Sequence, residues 1–138
     1  MASFNKFNIF TYDALAKKHD FTADTFKVAL SNTAPTSANA VLADITQISA
    51  GNGYTSGGTA TSMSLSTSSG TAKATGTDVV FTASGGSIGP ARYAVLYNDT
   101  AASDPLVGWW DYGSSITMAA TETLTVDFSA ANGILTVV

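Results

Sequence analysis

The alternation of apolar and polar residues along most of the chain predicts an all-β protein. Residues 25–30 place Phe26, Val28 and Leu30 on one face, as in a half-buried strand. Similar patterns recur over residues 59–67, 78–83, 91–97, 106–112 and 121–128, with turn residues between them. Because no helical pattern separates these strands, we predict an antiparallel β-sandwich. The strand order stays open between a jelly roll and an immunoglobulin-like Greek key.

Several segments refine this pattern. Residues 91–97 are apolar on both faces, which predicts a strand covered on both sides. Ser69-Gly70 predicts a hairpin turn that continues into residues 71–75, and Asn132-Gly133 predicts a tight two-residue turn. Residues 51–58 form a Gly-rich connector, whereas residues 41–49 fit either a short strand or an irregular turn.

The N-terminal segment differs from the rest of the chain because its apolar residues follow helical spacing. This spacing, together with the good helix formers after Asp13, predicts a short helix over residues 10–18. The chain length fits one domain, residues 1–138. We therefore predict an N-terminal arm or short helix over residues 1–22 and the sandwich over residues 23–138.

Composition restricts the kinds of partner and cofactor. Hydrophobic residues make up 45% of the chain and charged residues 12%, so a core can form without disulfides or metals. The net charge is −4 and the six Lys and Arg residues are scattered, which argues against direct nucleic-acid binding. With no Cys, no long apolar run and no export signal, we predict a soluble protein without membrane contact or cofactor.

The residues that usually carry catalysis are scarce. His19 is the single His and Glu122 the single Glu. We expect His19 at the surface or at a helix end, and we find no Gly-x-Ser-x-Gly elbow for a hydrolase triad. Glu122 has no evident carboxylate partner for a glycosidase. The sequence therefore predicts a protein that is not an enzyme and has no catalytic residues.

Two other features invite a ligand-binding interpretation. Asp99, Asp104 and Asp111 flank one turn and could supply oxygens to calcium, although their spacing lacks the EF-hand pattern. Turn formation by these Asp side chains is the stronger interpretation, and we predict no metal site. The glycines of residues 51–58 precede neither a Lys-Ser/Thr pair nor a helix, which excludes a phosphate-binding loop.

The sequence Trp109-Trp110-Asp111-Tyr112 is the most informative local motif. Neighbouring residues of a strand point to opposite faces, so one Trp should enter the core and the other should meet solvent or a partner. Exposed Trp and Tyr side chains can stack on sugar rings or anchor a protein interface. The alternative is that the N-terminal segment covers the second Trp.

Four segments together resemble a family of small structural proteins from tailed-bacteriophage and prophage virions. They cover nearly the whole chain and comprise residues 24–30 (DTFKVAL), 51–58 (GNGYTSGG), 89–100 (GPARYAVLYNDT) and 104–113 (DPLVGWWDYG). Many members have no assigned role, and the resemblance carries over no catalytic residue.

The resemblance implies a virion protein made in the host cytoplasm. Our first expectation is a head decoration, or cement, protein on the capsid surface, bound to the lattice of the major capsid protein or to neighbouring virion proteins. Phe4, Phe7 and Phe10 of the N-terminal segment would dock on a neighbouring chain. Analogy with other decoration proteins suggests a homo-oligomer, in particular a trimer.

A second expectation comes from another functional class. Trp109 or Trp110, together with Tyr112, could form a stacking platform for sugars. The protein would then be a carbohydrate- or receptor-binding module of a tail or fibre. A small hydrolase is a third, less favoured interpretation that requires a pocket around His19.

Overall fold

The computed structural model of the chain describes residues 2–138, which contain ten strands, one α-helix and one 3-10 helix. The bounds are β1 (Phe4–Lys6), α1 (Asn8–Leu15), β2 (Phe26–Ser31), the 3-10 helix (Leu42–Asp44), β3 (Thr59–Thr61), β4 (Met63–Ser68), β5 (Thr71–Gly76), β6 (Val79–Thr82), β7 (Ile88–Asn98), β8 (Leu106–Met118), β9 (Thr123–Val126) and β10 (Leu135–Val137). No α-helix within residues 2–138 has the length and apolar character needed to cross a membrane.

The strands form antiparallel sheets, which confirms the predicted fold class. A five-stranded sheet has the order β1-β8-β7-β2-β3. Facing it are a three-stranded sheet, β10-β5-β4, and a two-stranded sheet, β6-β9. The second layer is thus divided between two small sheets, a detail that the alternation pattern does not encode.

Both faces of the five-stranded sheet are covered by apolar side chains. Phe26, Val28 and Leu30 of β2 share one face, as predicted, and pack in the larger core cluster between the layers. Leu96 of β7 joins that cluster, whereas Val95 packs on the opposite face in a second, smaller cluster. The prediction that β7 is covered on both sides is therefore confirmed.

The predicted strand over residues 59–67 is divided at Ser62. β3 pairs with β2 in the large sheet, and β4 pairs with β5 in the three-stranded sheet. The Thr61 hydroxyl donates to the Thr77 carbonyl (2.6 Å), and the Ser62 N–H donates to the Thr77 hydroxyl (3.0 Å), which fixes the corner. A Cβ atom at Gly76 would meet Thr61 Oγ1 at 2.9 Å, so a larger residue at this position would require the Thr61 side chain to shift.

The N-terminal segment is part of the sandwich. β1 is an edge strand of the large sheet and pairs with β8, a strand that the sequence did not predict. The predicted helix over residues 10–18 is shifted, because α1 begins at Asn8 and ends at Leu15. Phe7 is extended and buried immediately before the helix, and Lys17 adopts a left-handed conformation (φ 63°) that ends it.

The turns follow the sequence signals to different extents. Ser69 and Gly70 have φ angles of 49° and 81° and join β4 to β5 as a two-residue hairpin, as predicted. The tight two-residue turn predicted at Asn132-Gly133 is wrong, because the chain forms a wider turn there, closed by the Gly133 N–H donating to the Ser129 carbonyl (2.8 Å), and only Gly133 has a positive φ (75°). This turn precedes β10, which belongs to a different sheet from β9. The Gly-rich connector is held in place because the Tyr97 hydroxyl donates to the Gly57 carbonyl at 2.5 Å.

Candidate functional site

A cleft of about 330 Å³ opens between the large sheet and a wall formed by β9 together with the segment that follows it. β7 and β8 form one wall, and residues 124–134 form the other. Five aromatic residues line this space, and we call it the aromatic cleft: Phe4, Tyr93, Trp110, Tyr112 and Phe128. Its volume lies at the lower end of the range for ligand pockets, and its walls are mainly apolar, as is usual for such sites.

The two neighbouring Trp residues lie on opposite faces of β8, as the strand geometry predicts. Trp110 packs between Phe4 and Phe128, with ring centroids 5.2 Å from each. On the opposite face of the sheet, the Trp109 ring packs on the Phe7 ring, at a centroid distance of 4.5 Å. Both Trp side chains are half-buried, and the N-terminal segment contributes an aromatic contact to each. Trp109 is therefore outside the cleft.

Tyr112 is the accessible member of the predicted Trp–Tyr motif. It lies two residues after Trp110 on β8, lines the same cleft, and is 60% exposed. The exposed tyrosine ring and the half-buried indole give the cleft an apolar wall that is open to solvent. Such a wall can stack against a sugar ring or accept an apolar side chain.

An ion pair lies at the rim of the cleft. Arg92 Nε and a second guanidinium nitrogen donate to the two carboxylate oxygens of Asp111, at 2.8 and 3.1 Å. The hydrogen bond from Arg92, followed by that from the Gly113 N–H, holds the pKa of the Asp111 carboxyl below its ordinary value. The same pairing raises the pKa of Arg92. The charges of Arg92 and Asp111 are thus matched by each other, whereas Asp127 adds an exposed carboxylate to the lining of the cleft.

The three N-terminal phenylalanines are separated by the fold. Phe4 lines the aromatic cleft, whereas Phe7 lies in the smaller core cluster on the other face of the sheet. Phe10 is buried beside His19 and Phe21, at centroid distances of 5.2 and 6.1 Å. Phe7 and Phe10 are thus committed to the core of their own chain.

His19 is not a solvated surface residue, which corrects the first of the two positions expected from the sequence; it lies four residues after the end of α1. It is partly buried, and its ring lies 6.0 Å from that of Phe26. Burial lowers the pKa of His19, although the carboxylates of Asp13 and Asp24 act in the opposite direction. Neither this cleft nor the groove described below is lined by His19.

The three Asp residues considered for calcium do not converge. Asp99 pairs with Lys27 (3.0 Å), and Asp111 pairs with Arg92. The Asp111 carboxylate also accepts from the N–H two residues on, at 2.8 Å, which is the turn role that we predicted. Within residues 2–138, no three His, Cys, Asp or Glu side chains are grouped so that they could hold a metal ion.

A second surface feature lies between α1 and β10, and we call it the α1–β10 groove. Leu15 is 84% exposed at the end of the helix, and Val137 is 58% exposed on the strand. Both line the groove, together with Ala14 and Leu135. Among the groove residues that the structure describes, Lys6 has the one charged side chain, and its amine donates to the Thr11 hydroxyl.

Several of these residues were not singled out from the sequence. Tyr93 and Phe128 were assigned only to strands, and Arg92 only to a scattered set of cations. Arg92 is the single Arg in the chain and lies in its most apolar strand, which is a signal that could have marked it. Leu15 and Val137 carried no such signal, because exposed apolar residues are recognised only once the fold is known.

Comparison with models of protein families, with curated proteins and with solved structures gives no match.

Proposed function

We propose that this protein is a structural protein of a bacteriophage particle and decorates the capsid surface by binding the lattice of the major capsid protein. The exposed apolar α1–β10 groove is the observation that carries this proposal, because Leu15 and Val137 both line it and both are exposed. Contiguous apolar surface of this kind marks interaction sites. The resemblance in sequence to virion proteins supplies the identity of the partner.

The chemistry of the groove suits a protein partner. Burying a side chain such as Leu15 stabilises a complex by about 1.5–3 kcal/mol, and charged residues are depleted at the centres of interfaces. Lys6 is exposed, so its amine can remain in solvent at the edge of a contact. A modest affinity at each site becomes large in total when the contact is repeated over a symmetric shell.

The groove also has a rigid frame. β1 is hydrogen-bonded to β8, and Phe10 anchors α1 in the core. In this proposal a preformed surface replaces the free N-terminal arm that the sequence suggested. A preformed surface loses less conformational entropy on binding than an arm that must first become ordered.

The test uses phage heads purified without this protein. Leu15→Asp places a charge in the groove and should reduce co-sedimentation with heads at least about tenfold. The matched control is Val80→Asp, because Val80 is also exposed (49%) but lies on β6. Unchanged binding by Leu15→Asp, or enrichment of the wild-type protein in detached tails, would overturn the proposal.

A second candidate function is a carbohydrate- or receptor-binding module of a tail or fibre. The observation in its favour is that Trp110 and Tyr112 line the same aromatic cleft. Tyr112→Ala should abolish binding on a glycan array, whereas Tyr12→Ala, an exposed tyrosine on α1, should not. A wild-type protein that binds no glycan would remove this candidate.

A further inference from the structure

The outer edge of the three-stranded sheet is open. β4 is the end strand in the order β10-β5-β4, and residues 64–68 are all exposed. Leu65 is 46% exposed although it lies opposite the buried Ala74 of β5. The strand therefore presents unpaired backbone groups and one large apolar side chain to solvent.

None of the usual devices that prevent edge pairing is present on β4. Its register with β5 runs without a shift from Met63 to Ser68, so no bulge twists the edge away. The strand contains no Pro, and no charged residue occurs anywhere from Ile45 to Ala72. Natural edge strands are normally protected by Lys, Pro, bulges or a covering segment, so this edge is suited to pairing with another chain.

The hairpin geometry determines which backbone groups are free. A two-residue turn at Ser69-Gly70 closes on a hydrogen-bonded pair, Ser68 and Thr71, and hydrogen-bonded pairs then recur at alternate residues. Ser64 and Ser66 therefore direct their N–H and C=O groups towards β5. The corresponding groups of Met63, Leu65 and Thr67 point to the open edge.

We propose that β4 pairs in an antiparallel manner with β4 of a second copy of this chain, about a two-fold axis at Leu65. In this register Leu65 lies opposite Leu65 of the second copy, and Met63 lies opposite its Thr67. All the free backbone groups on each edge then meet a partner. The two three-stranded sheets become one six-stranded sheet, and the two Leu65 side chains cover each other.

A second copy suits this edge because the free positions are symmetric about Leu65 and no charge opposes the pairing. Lys73 is the nearest cation along the hairpin, and its amine donates to the Ala130 and Ala131 carbonyls, at 3.4 and 3.0 Å. Strands β5 of the two copies would be three strand spacings apart, about 14 Å. Screening at physiological salt makes repulsion between the two Lys73 residues small over that distance.

The pairing is independent of the proposed capsid contact. The α1–β10 groove adjoins β10, whereas the free edge belongs to β4, which lies beyond β5. One strand pair buries less surface than a stable standard interface, so we expect a dissociation constant in the micromolar range, on the order of 100 μM. Binding to a shell would raise the local concentration and favour the pair.

A cysteine cross-linking experiment tests the register. The chain has no Cys, and residues in a hydrogen-bonded antiparallel pair have Cα atoms about 5.5 Å apart, which suits a disulfide. Under mild oxidation, Leu65→Cys should form a covalent dimer at least about tenfold faster than Val80→Cys. Thr67→Cys should behave like the control, because the two copies of Thr67 would be about 14 Å apart.

A second measurement does not depend on a disulfide. Sedimentation at concentrations up to about 500 μM should show a dimer for the wild type and for Val80→Lys, but a monomer for Leu65→Lys at unchanged thermal stability. Equal cross-linking at positions 65 and 80, or a monomeric wild type, would overturn the proposal. If the wild type is monomeric and Leu65→Lys loses binding to heads, the edge pairs with another protein and self-pairing is wrong.

Discussion

At the scale of single residues, Asn98 connects the end of β7 and the turn after it to residues 18–24, which are distant in the sequence. Its side chain is fully buried, and its amide nitrogen donates to the Lys18 carbonyl (3.1 Å) and to the Asp24 carboxylate (2.7 Å). Its side-chain oxygen accepts from the N–H groups of Thr100 and Ala101. The end of β7, the following turn and residues 18–24 are therefore held by one amide group.

Replacing the Asn98 side chain should destabilise the folded protein. Asn98→Ala leaves buried donors and acceptors without partners, so we expect the free energy of unfolding to fall by about 3 kcal/mol. Urea denaturation of the purified protein measures this loss. Asn39→Ala serves as the control, because Asn39 is a more exposed Asn of a surface turn. This variant should lower the free energy of unfolding by about 1 kcal/mol or less. Equal losses in the two variants would contradict the role of Asn98.

His19 should make stability depend on pH. Burial lowers the pKa of His19 in the folded protein below the ordinary value of 6.5, so the unfolded chain takes up the proton more readily. The free energy of unfolding should therefore be highest above pH 6.5 and should decrease as the pH falls through 6.5 towards the folded pKa. Urea titrations at pH 8.0, 6.5 and 5.5 measure the decrease.

The control for this prediction is His19→Gln, which removes the titrating ring. Asp20, Asp44 and Asp111 have pKa values lowered from 3.8 by their hydrogen bonds, so their contributions are lost only in more acidic solution. The variant should therefore have nearly constant stability over the same pH range. A variant that retains the wild-type pH dependence would show that another group is responsible.

At the scale of elements, the attachment of β1 depends on Gly108. A Cβ atom at this position would lie 2.2 Å from Phe4 Cε2 and 2.7 Å from the Asn5 carbonyl oxygen. Gly108→Ala should displace β1 from β8 and destabilise the protein by about 1–3 kcal/mol. Hydrogen exchange should show faster exchange at the backbone amides of residues 4–6.

A double variant distinguishes this clash from a general effect. Phe4→Ala removes the ring that the new methyl group meets. In a protein that carries Phe4→Ala, Gly108→Ala should therefore lower the free energy of unfolding by less than it does in the wild type. Strict additivity of the two losses in free energy would contradict the proposed contact.

The elements that could be predicted from sequence are those whose signals are local. β2, with Phe26, Val28 and Leu30 on one face, and the Ser69-Gly70 hairpin follow from alternation and turn chemistry. β1 was not predicted, because three residues are too few to show a pattern. Its partner strand, β8, lies about a hundred residues further along the chain. The corner at Ser62 was also missed, since the Thr77 side chain and backbone fix it.

The residues of the aromatic cleft were predicted only in part, for a similar reason. The tandem Trp residues gave a local signal, and the opposite orientation of Trp109 and Trp110 follows from strand geometry. The contribution of Phe128 depends on how the segment after β9 brings this ring against Trp110. No periodicity in the sequence specifies that contact.

At the scale of the whole molecule, sparse charge should make stability nearly independent of salt. The partly exposed ion pairs Lys27–Asp99 and Arg92–Asp111 are each worth about 0–1 kcal/mol. Raising NaCl from 0.05 to 0.5 M at pH 7 should therefore move Tm by less than about 4 °C. Calorimetry measures Tm in NaCl and, for comparison, in sodium sulfate. Sulfate strengthens apolar burial and should therefore raise Tm. A large decrease of Tm in NaCl would contradict this prediction.

The tandem Trp residues also give the molecule two optical reporters separated by one peptide bond. Trp110 contacts Phe4 and Phe128 within the cleft, whereas Trp109 contacts Phe7 on the other side of the sheet. Replacing either indole with Phe would leave an emission spectrum that reports on one side alone. Occupation of the cleft and detachment of the N-terminal segment would then be separate spectroscopic events in a protein that needs no added label.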